Sequence, residues 1–284
     1  MANITYKLAT EVNDNAIYEA FKTGFSDYII KFQMEKELFF DRFFGPEGNT
    51  KMLTHVAFDG ELPIGVLLGG IRDYDGIKTL RCGALCIHPD YRGMDVGLTL
   101  MARHTEDANT HACGHMMLEV IAGNDRAIKF YDKLGYDTVY FIHYFAHKDI
   151  PMLAAMPISC DDVVPIQLVH LYDHVKTWAS YYHVNWQNDF DSIMQIPNVQ
   201  GFAVLEDEQI VAFICLTPQG RIFRLLVHPD HQNKGYGKQL LVHVARTLKP
   251  EALNISVASS GPLTRFLRNL GFGKDSLYQF EMIK

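Results

Sequence analysis

The sequence predicts an α/β (α+β) protein with two similar domains in tandem. Residues 88–97 (HPDYRGMDVG) return as residues 228–237 (HPDHQNKGYG), an offset of 140 positions. Each copy follows an apolar run typical of a strand and precedes an amphipathic run typical of a helix. Because the offset is about half of the 284 residues, each half is long enough to form a domain with its own core.

The first half predicts strands and helices in a mixed order. Alternating apolar residues and turn residues such as Asp59-Gly60 mark the strands, and apolar residues three or four apart mark the helices. Strands are predicted over 4–8, 53–58, 64–71, 79–87, 115–121 and 138–146. Helices are predicted over 14–24, 96–110 and 125–134, with a further helical segment within the aromatic-rich residues 25–44.

The second half repeats this order in a shorter form. Strands are predicted over 201–206, 209–217, 221–227, 252–257 and 276–282, and helices over 164–180, 236–248 and 262–270. Two prolines, Pro151 and Pro157, interrupt the region between the halves and favour a linker there. The predicted domains are therefore residues 1–148 and 161–284, joined by a linker of residues 149–160.

Composition excludes several classes of protein. With 48% apolar and 21% charged residues, the chain is an ordinary globular protein and not a disordered one. The formal net charge of -7 argues against nucleic acid as a partner. The N-terminus lacks the basic and apolar regions of a signal peptide, and no apolar run approaches the ~20 residues of a membrane span. We therefore expect a cytoplasmic protein without a membrane partner.

Cysteine and histidine spacing predicts no metal site. The five cysteines are odd in number and lack paired zinc-type spacing, so we expect buried reduced thiols. These are Cys82, Cys86, Cys113, Cys160 and Cys215. His170 and His174 share one face of a predicted helix, but no third ligand has a suitable spacing.

The repeated phrase predicts an anion site in each half. Each copy is a tight glycine-containing loop between a strand and the start of a helix. The first backbone N–H groups of a helix have no intrahelical partner, and the helix dipole adds positive charge there, so a phosphate binds readily. In the second copy, Gly235 and Gly237 allow close backbone approach, and Lys234 and Lys238 add positive charge.

A second pair of matching segments lies downstream of the loops. Residues 130–136 (FYDKLGY) correspond to residues 266–272 (FLRNLGF), at nearly the same distance from the two loops. With these motifs the sequence resembles the GNAT superfamily of acyl-CoA-dependent N-acetyltransferases, and within it the tandem GNAT proteins, over nearly the whole chain. The resemblance implies two GNAT-like domains, each a mixed, mostly antiparallel sheet flanked by helices.

The resemblance also implies a reaction and a cofactor. It predicts direct transfer of an acetyl group from acetyl-CoA (coenzyme A) to an amine of a small molecule or peptide. The cofactor-binding residues it implies are Ile87, Arg92, Gly93, Met94, Val96, Gly97 and Asn124 in the first half, and Val227, Gln232, Asn233, Lys234, Gly235, Tyr236, Gly237 and Lys238 in the second.

The first loop departs from the family pattern at Asp95, which stands where the second loop has Gly235. Aspartate tolerates a left-handed backbone better than most residues, so we expect the turn to form. The carboxylate would repel a phosphate about 4 Å away by roughly 1 kcal/mol in water-like surroundings and by about 4 kcal/mol at an effective dielectric near 20. Pairing with Arg92 or Arg103 would offset part of this repulsion.

The proton donor shows the opposite difference between the halves. Tyr131 occupies the position of the family's general-acid tyrosine, and a phenol of pKa near 10 can protonate a thiolate of similar basicity. The alternative is that Tyr131 only packs on the sheet. The second half has Leu267 at this position, which cannot donate a proton.

No general base is evident. Where many family members place a glutamate, the chain has Gly83 or Ala84 in the first half and Phe223 or Arg224 in the second. Glu119 is a candidate, but a strand carboxylate in a salt bridge is an equal explanation. Residues 24–28 with Phe32, Phe39 and Phe40 fall on the acceptor side of the family fold and could line a substrate pocket or pack in the core.

Two enzyme models stay open. The first domain could catalyse through Tyr131, or the second could hold acetyl-CoA and use another acid; we favour catalysis in the first and tighter cofactor binding in the second. A protein of a different class also stays open, a coenzyme A-binding regulatory module or pseudoenzyme. A dinucleotide-binding oxidoreductase is disfavoured because Gly235 and Gly237 are not followed by the third glycine of that motif.

Overall fold

The fold comes from a computed structural model that describes residues 3–30, 34–159, 162–179, 181–258 and 261–284. The strands are β1 (Ile4–Leu8), β2 (Thr50–Asp59), β3 (Leu62–Tyr74), β4 (Ile77–Ile87), β5 (His115–Ile121), β6 (Asp137–His147), β7 (Val163–Ile166), β8 (Gln200–Glu206), β9 (Gln209–Leu216), β10 (Arg221–Val227), β11 (Leu253–Ala258) and β12 (Gly273–Ile283). The helices are α1 (Asp14–Gly24), α2 (Lys36–Phe43), α3 (Val96–Thr110), α4 (Asp125–Lys133), α5 (Ile150–Ala155), α6 (Leu168–Ala179), α7 (Phe190–Ile193), α8 (Tyr236–Thr247) and α9 (Gly261–Asn269).

The chain forms two compact units. The first unit extends to Val139 and includes Phe280–Lys284, and the second is Tyr140–Gln279. Each has cores of its own: Leu80, Leu100 and Leu118 are buried in the first, and Leu240, Leu241 and Ile255 in the second. The predicted two-domain, mixed α/β organisation is confirmed.

In the first unit the strand order is β1-β2-β3-β4-β5, followed by the end of β12. Successive pairs from β1 to β4 are antiparallel, and β4 with β5 is parallel. The backbone groups of Met116 and Lys284 exchange two hydrogen bonds, of 2.9 and 2.8 Å, which is the pattern of an antiparallel pair. Met282 is fully buried among the side chains of this unit.

In the second unit the order is β7-β8-β9-β10-β11-β6, with the first part of β12 beside β6. Only β10 and β11 are parallel among these described pairs. The predicted helix over 164–180 is wrong at its start. Residues Val163–Ile166 form β7, because two β-branched residues precede Pro165, and the helix begins at Leu168.

The units do not follow the predicted boundaries of 1–148, 149–160 and 161–284. Strand β6 pairs with β11 over its second half, from Leu253 opposite His147 to Ala258 opposite Ile142, so residues 140–147 belong to the second unit and residues 137–139 to the first. The last residues of β12 belong to the first. The predicted linker contains helix α5, whose end is held by Arg246: its Nε donates to the Ala154 carbonyl at 2.8 Å.

The described cysteines are free thiols. Cys82, Cys86 and Cys215 are buried as expected, whereas Cys113 is half-buried; Cys160 lies outside the described residues.

Candidate active site

A pair of parallel strands separates in the middle of each unit. In the first, β4 and β5 pair from Thr79 and His115 to Cys82 and Leu118, although both strands continue. In the second, β10 and β11 pair only at Arg221–Asn254 and Ile222–Ile255 before both continue. Each separation leaves the facing strand edges apart and opens toward the loop that follows β4 or β10.

The strand position at which the family resemblance places a base is filled differently in each unit. A register shift falls between Leu68 and Gly69 of β3, opposite Gly83. A Cβ added at Gly83 would lie 2.1 Å from Asn49 Oδ1, so no side chain fits there. The matching shift in β10 falls at Phe223, which is buried. Neither residue can serve as a base.

The neighbouring Arg224 is also occupied. Its Nε donates to the Asn188 carbonyl at 2.8 Å, and its Nη2 to Asp189 Oδ1 at 2.9 Å. Its guanidinium lies 4.5 Å from the ring centre of Phe190. Arg224 is therefore buried and held by three contacts with residues 188–190.

Glu119 is held in a buried ion-pair network. Arg81 Nη2 donates to Glu119 Oε2 at 2.8 Å, and Arg81 Nη1 to Glu47 Oε2 at 3.0 Å. The Glu119 side chain is 3% exposed, and burial raises the pKa of its carboxyl. Of the two roles that the sequence left open for Glu119, base or salt-bridge partner, the structure shows the salt bridge.

The two loops have the same backbone form. Gly93 and Asp95 have φ values of 80° and 57°, and the corresponding Asn233 and Gly235 have 62° and 93°. Each loop has two left-handed positions. The glycine is at the earlier one in the first loop, Gly93, and at the later one in the second loop, Gly235. The expectation that Asp95 accepts this geometry is confirmed. In both units the loop ends at a helix N-terminus, at Val96 of α3 and Tyr236 of α8.

The first loop presents no cation to an anion. Arg92 turns away to Asp27, with Nη1–Oδ2 and Nη2–Oδ1 distances of 2.5 and 2.7 Å. Arg103 lies 5.3 Å from the ring centre of Tyr6. Neither arginine therefore offsets the charge of Asp95: both guanidinium groups have other partners, and the Asp95 side chain is exposed.

Exposed side chains around the two loops also differ. Met94 is 54% exposed in the first loop, where the second has Lys234. Lys234 Nζ lies 3.3 Å from Glu206 Oε2, and Lys238 is half-buried on the first turn of α8. An added Cβ would meet nothing within 4 Å at Gly93 or at Gly235, so both loops are open to a ligand. Because the second loop carries Lys234 and Lys238 where the first carries Met94 and Asp95, the second suits an anion better.

The last strand residue before each loop has an engaged carbonyl. Arg92 Nε donates to the Ile87 carbonyl at 3.1 Å. In the second unit Tyr182 Oη donates to the Val227 carbonyl at 3.1 Å, and Gln232 Nε2 donates to Tyr182 Oη at 2.5 Å. Tyr182 stands out in the sequence only as one of a cluster of aromatic residues that favours packing; its bond to Val227, 45 residues away, could not be predicted.

Helix glycines allow aromatic rings to approach the loops. Gly97 faces Phe130, and Gly237 faces Phe266, whose Cζ would be 3.7 and 3.0 Å from an added Cβ. The two rings are the first residues of the matching downstream segments. In each unit the loop motif and the downstream motif therefore pack directly against each other.

Tyr131 lies on α4 in the core of the first unit. It is 7% exposed, and its ring lies 6.0 Å from that of Tyr136 and 5.4 Å from that of Phe130. Burial raises its pKa well above the ordinary value near 10, with Cys82 the next cause. The corresponding Leu267 is fully buried. The phenol is thus protonated at neutral pH, and its role as an acid stays a prediction.

Asn124 is the N-cap of α4, and its side chain accepts a hydrogen bond from the Ala127 N–H at 3.3 Å. Of the aromatic residues expected on the acceptor side, Phe39 is fully buried against Phe21, at 4.7 Å between ring centres. That residue packs in the core; Phe32 lies outside the described residues.

With this geometry established, comparison with known proteins gives the family. The sequence profile of the acetyltransferase (GNAT) family matches residues 15–136 and 168–272. The chain belongs to this family. Its two matches correspond to the two units, so it is a tandem GNAT protein, as the repeat and the resemblance predict.

Acetyltransferases of two bacteria are similar to part of the chain. One from Pectobacterium atrosepticum is 35% identical over 81 residues, covering 28% of this chain and 54% of that protein. One from Sodalis glossinidius is 35% identical over 77 residues, covering 26% and 49%. The chain thus spans about half the length of the curated relatives it matches.

Solved structures match the whole fold. A GCN5-related N-acetyltransferase from Sphaerobacter thermophilus has a TM-score of 0.69 at 13% identity, covering 99% of this chain and 95% of that one. A tandem GNAT protein from the clavulanic acid biosynthesis pathway has a TM-score of 0.67 at 13% identity, covering 100% and 98%. These similarities establish the fold.

Among the described residues, no helix is long and apolar enough to cross a membrane. The same residues contain no cluster of three or more histidine, cysteine or acidic side chains that could hold a metal ion.

Proposed function

We propose that the chain is an N-acetyltransferase that moves an acetyl group from acetyl-CoA to an amine of a small molecule or peptide by direct transfer. The observation that supports this most is the separated strand pair of each unit, which opens toward a helix N-terminus with two left-handed residues before it. An extended amide-containing chain fits between separated strands, and a diphosphate fits a helix N-terminus. We further propose a cytoplasmic location.

The residues present fit the cofactor best in the second unit. Backbone N–H groups at Tyr236 and Gly237 would hold the diphosphate, and Lys234 and Lys238 would add positive charge. Gly235 leaves space for close approach. When bound, acetyl-CoA supplies an acetyl group activated as a thioester. We infer tighter binding here than in the first unit, where Asp95 would repel the same phosphates.

We assign protonation of the leaving sulfur to the first unit. Tyr131 Oη holds its proton at neutral pH, as an ordinary phenol does, and burial raises its pKa further, so it is available as a donor to the leaving sulfur and not as a base. Leu267 cannot do this. An N–H of the strand before the loop would stabilise the oxygen that gains negative charge. Since Glu119 is bound to Arg81, we assign removal of the amine proton to ordered water.

The acceptor is proposed from charge. The net charge of -7 steers cationic molecules toward the protein, so polyamines, aminoglycosides and basic peptides are the amines to test. Release of free thiol from acetyl-CoA with any amine of this panel would support the proposal.

The test of the acid is Tyr131→Phe, which keeps the ring and removes the hydroxyl. We expect kcat to fall by about 10²–10⁴-fold with coenzyme A binding retained. The matched control is Tyr136→Phe, another buried tyrosine of the same core. Unchanged turnover in Tyr131→Phe would remove Tyr131 from the mechanism.

A second candidate is a coenzyme A-binding regulatory module without turnover. The observation that favours it is the division of features, because Asp95 weakens one loop and Leu267 removes the proton donor from the other unit. Binding of coenzyme A without thiol release for every amine of the panel would support this module over the enzyme.

A further inference from the structure

We propose that the side-chain oxygen of Asn49 binds the acceptor amine in the cleft between β4 and β5 of the first unit, and that the amine is a primary one. This inference rests on the proposed function, because it names the group that the same cleft offers to its acceptor. Asn49 directly precedes β2, and it is 2% exposed.

Two hydrogen bonds fix the orientation of the Asn49 amide. Its Nδ2 donates to the Phe43 carbonyl at 2.8 Å, and its backbone N–H donates to the same carbonyl at 3.1 Å. Because the atom that faces a carbonyl must be the NH2 group, the other atom of the amide is its acceptor oxygen. The amide is therefore held at the end of α2, and Oδ1 is directed at β4.

This oxygen is buried without a partner. Among the residues that the structure describes, none donates a hydrogen bond to Asn49 Oδ1. Nearly all buried polar groups in proteins are paired, because an unpaired one costs free energy. A buried acceptor that the chain leaves unpaired points to a donor supplied from outside, and an N–H of an amine is such a donor.

Oδ1 lies beside the residue at which β4 leaves β5. The two strands pair up to Cys82 and Leu118, and Gly83 is the next residue of β4. A Cβ at Gly83 would be 2.1 Å from Oδ1, so the oxygen occupies the space of the missing side chain. The family resemblance places a base at this position. In this chain an amide oxygen from another segment takes its place.

The first unit is open at this point. Strand β3 pairs with β4 from Tyr74 and Ile77 to Gly65 and Ile87, yet residues 83–85 of β4 are all partly exposed. Their exposure therefore comes from the edge that β5 has left, along which the proposed donor lies. Because Gly83 has no side chain, Asn49 Oδ1 borders this exposed edge.

The same place in the second unit is filled by protein groups. Residues 223–225 of β10 are all buried, and Phe223 stands where the first unit has Gly83. Asn188 connects the separated strands there. Its carbonyl accepts from Arg224 Nε of β10 at 2.8 Å, and its Nδ2 donates to Ser256 Oγ of β11 at 3.0 Å. The amine is therefore assigned to the first unit.

The chemistry selects a primary amine. The neutral amine uses its lone pair to bond to the acetyl carbon, the bond from that carbon to sulfur breaks, and the sulfur leaves with the proton of Tyr131. The nitrogen must then lose a proton. An amide oxygen accepts a hydrogen bond but is too weak a base to take this proton, which goes to ordered water. One N–H therefore stays on Asn49 Oδ1 while a second is lost, and only a primary amine has both.

The experiment measures thiol release by the full chain with acetyl-CoA and spermidine. Asn49→Leu keeps a side chain of similar shape and removes the acceptor oxygen, while the Phe43 carbonyl keeps its bond to the backbone N–H. We expect the KM for spermidine to rise about 5–30-fold and the KM for acetyl-CoA to stay the same. Kanamycin and then tetralysine are the probes if the wild type does not acetylate spermidine.

Two further variants make the result specific. Thr54→Val removes another buried polar group of the same unit, a hydroxyl that donates to the Thr50 carbonyl at 2.7 Å, and should change neither KM. Gly83→Ala attacks the same contact from the other side, because its methyl group would displace Asn49 Oδ1. It should raise the KM for the amine, and it decides the question if Asn49→Leu does not fold.

The remaining outcomes are distinguishable. An unchanged KM for the amine in Asn49→Leu, with the wild type active, would overturn the amine site and leave the proposed function intact. An equal rise of both KM values, or an equal rise in Thr54→Val, would mean general distortion and would also overturn the site. Absence of thiol release by the wild type with all three probes would overturn the proposed function and the site with it.

Discussion

Truncation of Met282 to alanine tests the assignment of the last strand to the first unit. Met282 is fully buried among side chains of the first unit, although it lies near the end of the sequence. Replacing a buried methionine by alanine costs about 2–5 kcal/mol, from lost transfer free energy and from the cavity left behind. We therefore expect Met282→Ala to lower the free energy of unfolding of the first unit by about 2–5 kcal/mol.

The measurement is urea unfolding by far-UV circular dichroism together with hydrogen–deuterium exchange. Exchange should rise most in β5, because Met116 of β5 exchanges backbone hydrogen bonds with Lys284. The matched control is Met52→Ala, since Met52 is 72% exposed on β2 and should change stability by less than about 0.5 kcal/mol. An increase in exchange confined to β11, with β5 unchanged, would refute the assignment.

Two other predictions concern packing and pH. Gly237→Ala should destabilise the second unit by about 1–3 kcal/mol, because the new Cβ would lie 3.0 Å from Phe266, whereas Gly97→Ala has 3.7 Å to Phe130 and should cost clearly less in thermal unfolding. His104 is buried, and burial lowers its pKa to about 3. Since the unfolded state binds more protons than the folded state between that value and about 6.5, stability should fall by about 2 kcal/mol from pH 7 to pH 5. Urea unfolding at both pH values checks this, and His104→Leu should remove that part of the pH dependence; an unchanged slope in the variant would contradict it.

Local patterns in the sequence determined much of the fold. Helices α1 and α3 and strand β5 have the bounds predicted from periodicity and turn residues. Asn13, for example, caps α1 by accepting from the Ala16 N–H at 2.9 Å, which depends only on residues close in the chain. The loop geometry at Asp95 was predictable for the same reason, because φ is a local property.

Strand partners could not be predicted in this way. Strands β6 and β12 are each the last strand of their half of the sequence. The alternation of apolar and polar residues along a strand does not specify which sheet edge the strand joins. The direction of the Arg92 side chain depends likewise on Asp27, 65 residues away. The space beside Gly83 is filled by the side chain of Asn49, which directly precedes β2. No residue close to Gly83 in the sequence indicates this contact.

The place of β12 also constrains the order in which the protein can be completed during synthesis. The first unit needs residues 280–284, which are made only after all of Tyr140–Gln279. At about 5–20 residues per second, β5 is a sheet edge without its final neighbour for roughly 10–30 s. An uncovered strand edge is a site for pairing with other chains. The half that is made first is thus the half that is finished last.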